Sequence, residues 1–226
     1  MKMPNITSRS CHGLMCSLKR FAVVPCLLFV LTSNLHGQDG RQENPDWAFL
    51  VYHGQTARTI FVRLLRFAPP DYIETSITSV EVDKPLHYLW NQRVRFELAI
   101  NLTRRWQRGH QRDFFEANVF VMVRWMRFPW NRFLKTSMAF GEGVSVAEEV
   151  PYIEQVDLRN EGMSHFLNFL AYEITLSPPK CNRISAVYRL HHRSGIFGLV
   201  NDVVGGSNVT AFGLRFSAGQ TCTGLW

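Results

Sequence analysis

Between Arg93 and Thr103 the sequence alternates without a break. Val94, Phe96, Leu98, Ile100 and Leu102 take every second position, and Arg95, Glu97, Ala99, Asn101 and Thr103 fill the places between. A period of two is the side-chain period of a β-strand, so one face of this strand is apolar throughout and the other carries charges and amides. The pattern returns from Phe115 to Trp125, with Phe115, Ala117, Val119, Val121, Val123 and Trp125 on one face and Glu116, Asn118, Phe120, Met122 and Arg124 on the other. Each stretch is long enough to cross a bilayer at a tilt. Further strands are predicted over residues 131–144, 165–176, 183–194 and 207–217. Weaker ones at 47–54 and 72–82 bring the total to eight. No Gly-rich phosphate loop, metal-spaced cysteine set or helical repeat occurs, so neither a cofactor nor a metal is expected.

Two architectures bury such strands. A soluble barrel or sandwich turns the apolar face inward, and a membrane barrel turns it toward lipid. Charged residues recur on the polar face of strand after strand (Arg95, Glu97, Glu116, Arg124, Glu173, Arg189, His191 and Arg215), as a salt-bridged lumen requires. Trp90, Trp106, Trp125 and Trp130 fall near strand ends, where interfacial aromatic girdles sit. Mean hydropathy is −0.09 and no run of about 18 apolar residues occurs, which excludes a helical membrane protein and leaves a barrel open. The expected fold is all-β, an eight-stranded antiparallel up-and-down outer-membrane β-barrel.

Residues 1–37 differ in kind. They hold Lys2, Arg9, Lys19 and Arg20 and no acid, and then the apolar run Phe21 to Leu31. That run has the length of a signal-peptide core and is too short to span a bilayer, and Gly37 offers a small residue for cleavage before Gln38. The expectation is a signal peptide over 1–37, a single barrel domain over 38–226, and a location in the cell outer membrane. Loss of the leader removes four of the 25 basic residues and none of the 18 acidic ones, leaving 21 against 18. The sequence pI of 9.4 therefore overstates how basic the working chain is, and nucleic acid is not an expected partner. Cys181 and Cys222 remain as an even pair in an exported chain, which permits one disulfide.

Connections sort by length. With both termini in the periplasm, the turns at 128–131 and 177–180 are periplasmic and the long segments 145–164 and 195–206 lie outside. Residues 81–89 are long for a periplasmic turn and 107–111 short for an outer loop. Ile60, Phe61, Leu64, Leu65 and Ala68 also fit the apolar face of an interfacial helix, with Arg58, Arg63 and Arg66 opposite. Gly141-Glu142-Gly143 reads as a strand end with flanking glycines, Glu142 being a distant acid partner in the alternative.

The stretch Tyr188-Arg189-Leu190-His191-His192-Arg193-Ser194-Gly195 carries the candidate chemistry. Adjacent histidines on a strand point to opposite faces, so His191 and His192 cannot jointly chelate a metal. Parity puts His191 in the lumen and His192 with Ser194 on the lipid side, i and i+2, at the outer end of the seventh strand. A hydroxyl beside an imidazole is the minimum for base-assisted attack on an ester. The same two side chains would also serve as polar contacts at the membrane interface.

The His-x-Ser at His192 and Ser194, the Gly/Asn-rich connection Asn201-Asp202 to Gly205-Gly206-Ser207-Asn208, and the closing Gly213-Leu214-Arg215-Phe216 resemble the C-terminal part of the lipid A 3-O-deacylases. The likeness covers roughly residues 183–216. It implies an eight-stranded outer-membrane barrel in which Ser194 is the nucleophile and His192 the base, with lipid A or a related outer-leaflet lipid entering from the membrane. That family places an Asn directly after the Ser to help form the oxyanion site, and a Glu about one strand-turn later. Gly195 stands at the first of these positions and Gly206 near the second. Asp202 or Asn208 is then left to orient His192, and the Gly195 backbone N–H to receive the oxyanion. Three readings stay open: an esterase acting on lipid A or a related lipid, a non-enzymatic structural or lipid-binding barrel of the same family, and a soluble periplasmic ligand-binding barrel. In the last, His192 and Leu190 would face an interior cavity.

Overall fold

The computed structural model describes residues 47–157, 159–181 and 183–218. Eight strands follow one another: β1 (Ala48–Ala57), β2 (Tyr72–Leu89), β3 (Val94–Trp106), β4 (Phe114–Trp125), β5 (Lys135–Ala147), β6 (Phe166–Ser177), β7 (Ile184–Ser194) and β8 (Gly206–Ser217). Each is antiparallel to its neighbour, and β8 pairs back onto β1 from Ala48↔Ser217 to Ala57↔Asn208, closing the barrel. Closure leaves no edge strand with unpaired backbone groups. Two short helices lie in the connections, α1 (Phe61–Leu65) and α2 (Tyr152–Val156). The segment expected as a signal peptide, 1–37, lies outside the described residues.

The alternation decides which face is which. Val80, Ile100, Val119, Val144, Phe212 and Leu214 point outward, each 42% exposed or more, while Ala99, Asn101, Thr103, Phe120 and Ala211 point inward and are buried. An apolar belt of this size around a whole barrel is stable against lipid and not against water. Trp47, Trp90, Trp125 and Trp130 are exposed at one end of the strands and Trp106 at the other. No helix among the described residues is long and apolar enough to cross a membrane. Ile184, Ala186, Tyr188, His192 and Ser194 share the outward face of β7. This overturns the soluble-barrel reading, because His192 and Leu190 do not face a cavity in the interior.

The lumen is filled by side chains, not water-wide. Arg105, Arg124, Arg189 and Arg193 are among the largest fully buried residues. Arg189 is held by Glu81 at 2.7 Å and by Glu173, Arg124 by Glu97 at 3.0 Å and Glu173 at 2.7 Å, and Arg215 by Asp83 at 2.7 Å. Nearer the outer end His191 bridges the Tyr52 hydroxyl (3.0 Å) and Glu116 (2.8 Å), and Glu116 also pairs with Arg105. Charges withdrawn from water persist only when paired this way.

The connections correct several expectations. Residues 81–89 are strand: β2 continues to Leu89 through a bulge between Pro85 and His87, where proline cannot donate to the ladder. The β2–β3 turn is then only 90–93. Residues 131–134 belong to a turn, and β5 begins at Lys135. Gly141-Glu142-Gly143 lies in mid-strand. A Cβ on Gly143 would come within 2.5 Å of Phe120 Cβ, so the glycine admits that ring to the lumen, and Glu142 faces outward between Val121 and Leu170. Cys181 is disulfide-bonded, and its expected partner, Cys222, lies outside the described residues.

Candidate active site on the outer wall

Residues 58–71, between β1 and β2, fold back as a strap over the outer wall. Leu64 packs on Leu190 and Ala57, with Phe61, Tyr172 and Tyr188 around them, which is why the outward-pointing Leu190 is only 1% exposed. The helix expected from Ile60, Phe61, Leu64, Leu65 and Ala68 is present only as α1, a single turn that leaves Ile60 and Ala68 outside it. Its Phe61 ring stacks on His192, with centroids 4.5 Å apart and planes 15° from parallel.

His192 Nδ1 lies 3.1 Å from the Ser207 carbonyl oxygen on β8. A carbonyl only accepts, so the ring proton sits on Nδ1 and the lone pair is left on Nε2, the tautomer a general base needs. Ser207 is fixed in turn from inside the barrel. Its hydroxyl donates to Glu154 of α2 at 2.6 Å, and Arg193 Nε lies 3.2 Å from the same carboxylate oxygen. Burial inside the barrel mouth raises the Glu154 carboxyl pKa above the ordinary range, and Arg193 and Arg105 oppose that rise.

Ser194 sits two residues beyond His192 on the same face, about 6.6 Å along the strand, half-buried. No hydrogen bond joins it to His192 among the described residues. Its register partners are Asn168 on β6 and Gly206 on β8. Asn168 also faces outward, is 9% exposed, and its Nδ2 has no hydrogen-bond partner among the described residues. A buried amide donor without an acceptor costs free energy unless a ligand supplies one. Asn168 stands out in the sequence only as the lone amide on a face shared with Leu170, Tyr172 and Ile174.

Of the candidates for orienting His192, Asn208 is brought to it. The two residues are paired in register, and Asn208 donates from Nδ2 to the Thr59 carbonyl at 3.1 Å, tying the strap to the wall. Asp202 is held in the 195–205 turn, exposed, at φ 56°. The nitrogen such an acid would hold is already taken by the Ser207 carbonyl. The Gly195 N–H, expected as an oxyanion donor, instead donates to the Gly205 carbonyl at 3.1 Å, which closes the turn and removes it from that role. Along the outward faces of β7 and β8, on the membrane side of His192, a groove of about 580 Å³ runs between strap and wall. Leu64, Phe67, Pro69, Ile174, Tyr188 and Phe212 line it.

Solved structures share this architecture. The outer membrane enzyme PagL superposes with a TM-score of 0.51 at 13% identity, covering 75% of this chain and 98% of that one. Neisserial surface protein A gives 0.47 at 10% identity (76% and 96% covered), and Ail, the attachment invasion locus protein of Yersinia pestis, 0.37 at 13% (76% and 99%). At 13% identity the likeness to PagL supports the fold alone, a closed eight-stranded barrel. No protein-family model and no curated protein matches the sequence.

Proposed function

We propose that this barrel is an outer-membrane hydrolase that removes an acyl chain from lipid A or a related outer-leaflet lipid. The observation that carries the reading is the placement of Ser194 and of His192, lone pair on Nε2, on the lipid-facing wall at the outer end of β7. There the ester of a membrane lipid can reach them without leaving the bilayer. Ser194 Oγ bonds to the acyl carbonyl carbon as its proton passes to Nε2. The intermediate expels the sugar alkoxide, which takes that proton. Water, with His192 again as base, then frees the fatty acid and restores the serine. Asn168 Nδ2 supplies the oxyanion donor that the resemblance places directly after the serine, and the groove under the strap holds the acyl chain.

A second reading, a non-enzymatic lipid-binding or structural barrel, is favoured by one observation: an amide and not a carboxylate, Asn208, is paired with His192. Mass spectrometry of lipid A from cells with and without the protein separates the two. Ser194→Ala and His192→Ala are expected to leave a folded, heat-modifiable barrel that releases no fatty acid, since the two groups act as a unit. If the unaltered protein folds and deacylates neither lipid A nor phospholipid, the second reading stands.

A further inference from the structure

Among the described residues, the connections at the end of the barrel opposite Ser194 carry charge of one sign. The connections at residues 90–93, 126–134 and 178–183 contain Arg93, Arg127, Arg132, Lys180 and Arg183, with Lys135 opening β5, and no Asp or Glu. Every loop acid of the described chain lies at the other end, among them Asp71, Asp113, Glu148, Asp157, Glu161 and Asp202. The cationic end also opens into a cavity of about 450 Å³, bounded by the Asn91-Gln92 turn, by Arg127 and Lys135, and deeper in by Arg95, Arg124 and Arg215. Ser137, Thr175, Ser177, Ser185 and Ser217 also line it; Thr175 donates to Glu173 and Ser177 and Ser185 bond to each other, which leaves the Ser137 and Ser217 hydroxyls, and among the described residues no carboxylate lines it.

Beneath this wall one buried carboxylate, Glu97, is shared by three guanidinium groups: Arg95, Arg124 at 3.0 Å and Arg215 at 3.2 Å. Arg95, whose side chain is 12% exposed, spends only part of its donor set on Glu97, because its Nε is buried with no hydrogen-bond partner among the described residues. Cations around a cavity, with the Ser137 and Ser217 hydroxyls beside them, fit a ligand that brings several acceptor oxygens and negative charge.

We propose that the inner mouth of the barrel is a binding site for a phosphate group presented from the periplasmic side, held by Arg95, Arg127 and Lys135 and by the Ser137 and Ser217 hydroxyls. The site is independent of the Ser194 chemistry. Two sources share this chemistry, a soluble phosphorylated molecule entering the mouth and the headgroup of an inner-leaflet phospholipid folded over the rim.

The full-length mature chain, refolded in detergent, is titrated with inorganic pyrophosphate by calorimetry. It is also embedded in phosphatidylglycerol and in phosphatidylcholine nanodiscs, where its thermal midpoint is compared. The same is done for the double variant Arg127→Glu/Lys135→Glu, which changes rim residues outside the buried ion pairs, and for Arg95→Gln. Saturable pyrophosphate binding, weakened about tenfold or more in the double variant, establishes the site with a soluble source. Stabilisation in the anionic nanodiscs alone, abolished by the double variant, establishes it with a lipid source. No pyrophosphate binding and no preference for anionic lipid, or binding that the double variant leaves intact, overturns the proposal. Should Arg95→Gln fail to fold, judged by heat-modifiable gel mobility, the rim variant decides alone.

Discussion

Asn168 carries a buried amide donor that meets no acceptor among the described residues. It lies on a lipid-facing wall, nine-tenths buried, directly across the ladder from Ser194. If that donor meets the oxyanion of the tetrahedral intermediate, its contribution appears in the transition state and not in substrate binding. Asn168→Ala is therefore expected to lower kcat for acyl release by about 10²–10³-fold with KM nearly unchanged. A variant with unaltered kcat, or one that loses KM instead, removes Asn168 from the reaction. The sequence singles out His192 and Ser194 as candidates because their relation lies within one strand, where a period of two places both on one face. Asn168 and the Ser207 carbonyl come from β6 and β8, and their place depends on cross-strand register, which no single strand encodes. The same gap explains Gly195. Its N–H is free to serve an oxyanion when the strand is considered alone, and is consumed by Gly205 once the hairpin closes.

At the scale of elements, two outer connections lock together above the site. Glu161 and Val204 form an isolated antiparallel bridge, and Asn160 accepts from the Gly206 N–H at 3.0 Å. Gly205 sits between them at φ 104°, where a Cβ would come within 1.8 Å of Asn160 Oδ1, so only glycine lets the loops meet. The 148–165 connection also reaches the strap, since Arg159 donates to the Arg58 carbonyl while paired with Asp157. The hydrogen bond from Arg159 is the main cause that holds the Asp157 carboxyl below its ordinary value of 3.8. A depressed carboxylate adds stability that is present above its unfolded pKa and lost as pH falls through the folded one. The Asp157–Arg159 contact is therefore expected to persist at neutral pH and to break only below 3.8. An NMR titration of the Arg159 side-chain signals should give a midpoint below that value, and Arg159→Ala should return Asp157 to the ordinary range. A wild-type midpoint at or above 3.8 removes the contact from the loop's stability. Length alone marked both connections as outer loops, but their mutual contacts depend on Gly205 and on a register the sequence does not display.

For the whole molecule, the two faces of one sheet set opposite requirements. The outer face is satisfied by lipid with no geometric demand, so its apolar residues were readable from alternation alone. The inner face must neutralise every charge it encloses, and which acid meets which arginine depends on barrel closure: Arg189 on β7 reaches Glu81 on β2 across the lumen. Arg189 is fully buried and is held by two hydrogen bonds to Glu81, at 2.7 and 2.8 Å, and by Glu173. Arg189→Met would strand Glu81 with only the Asn101 amide at 3.1 Å, and is expected to destabilise the barrel by about 3–5 kcal/mol. Glu173 would keep Arg124, so the penalty should fall mainly on Glu81. Adding Glu81→Gln removes the stranded charge and keeps an acceptor for Asn101. The double variant should then regain much of the loss, a non-additivity of at least about 1 kcal/mol between residues in contact. Urea unfolding in lipid vesicles, followed by heat-modifiable gel mobility, measures both. Additive effects of the two substitutions would mean that pairing across the lumen is not what holds the inner face together.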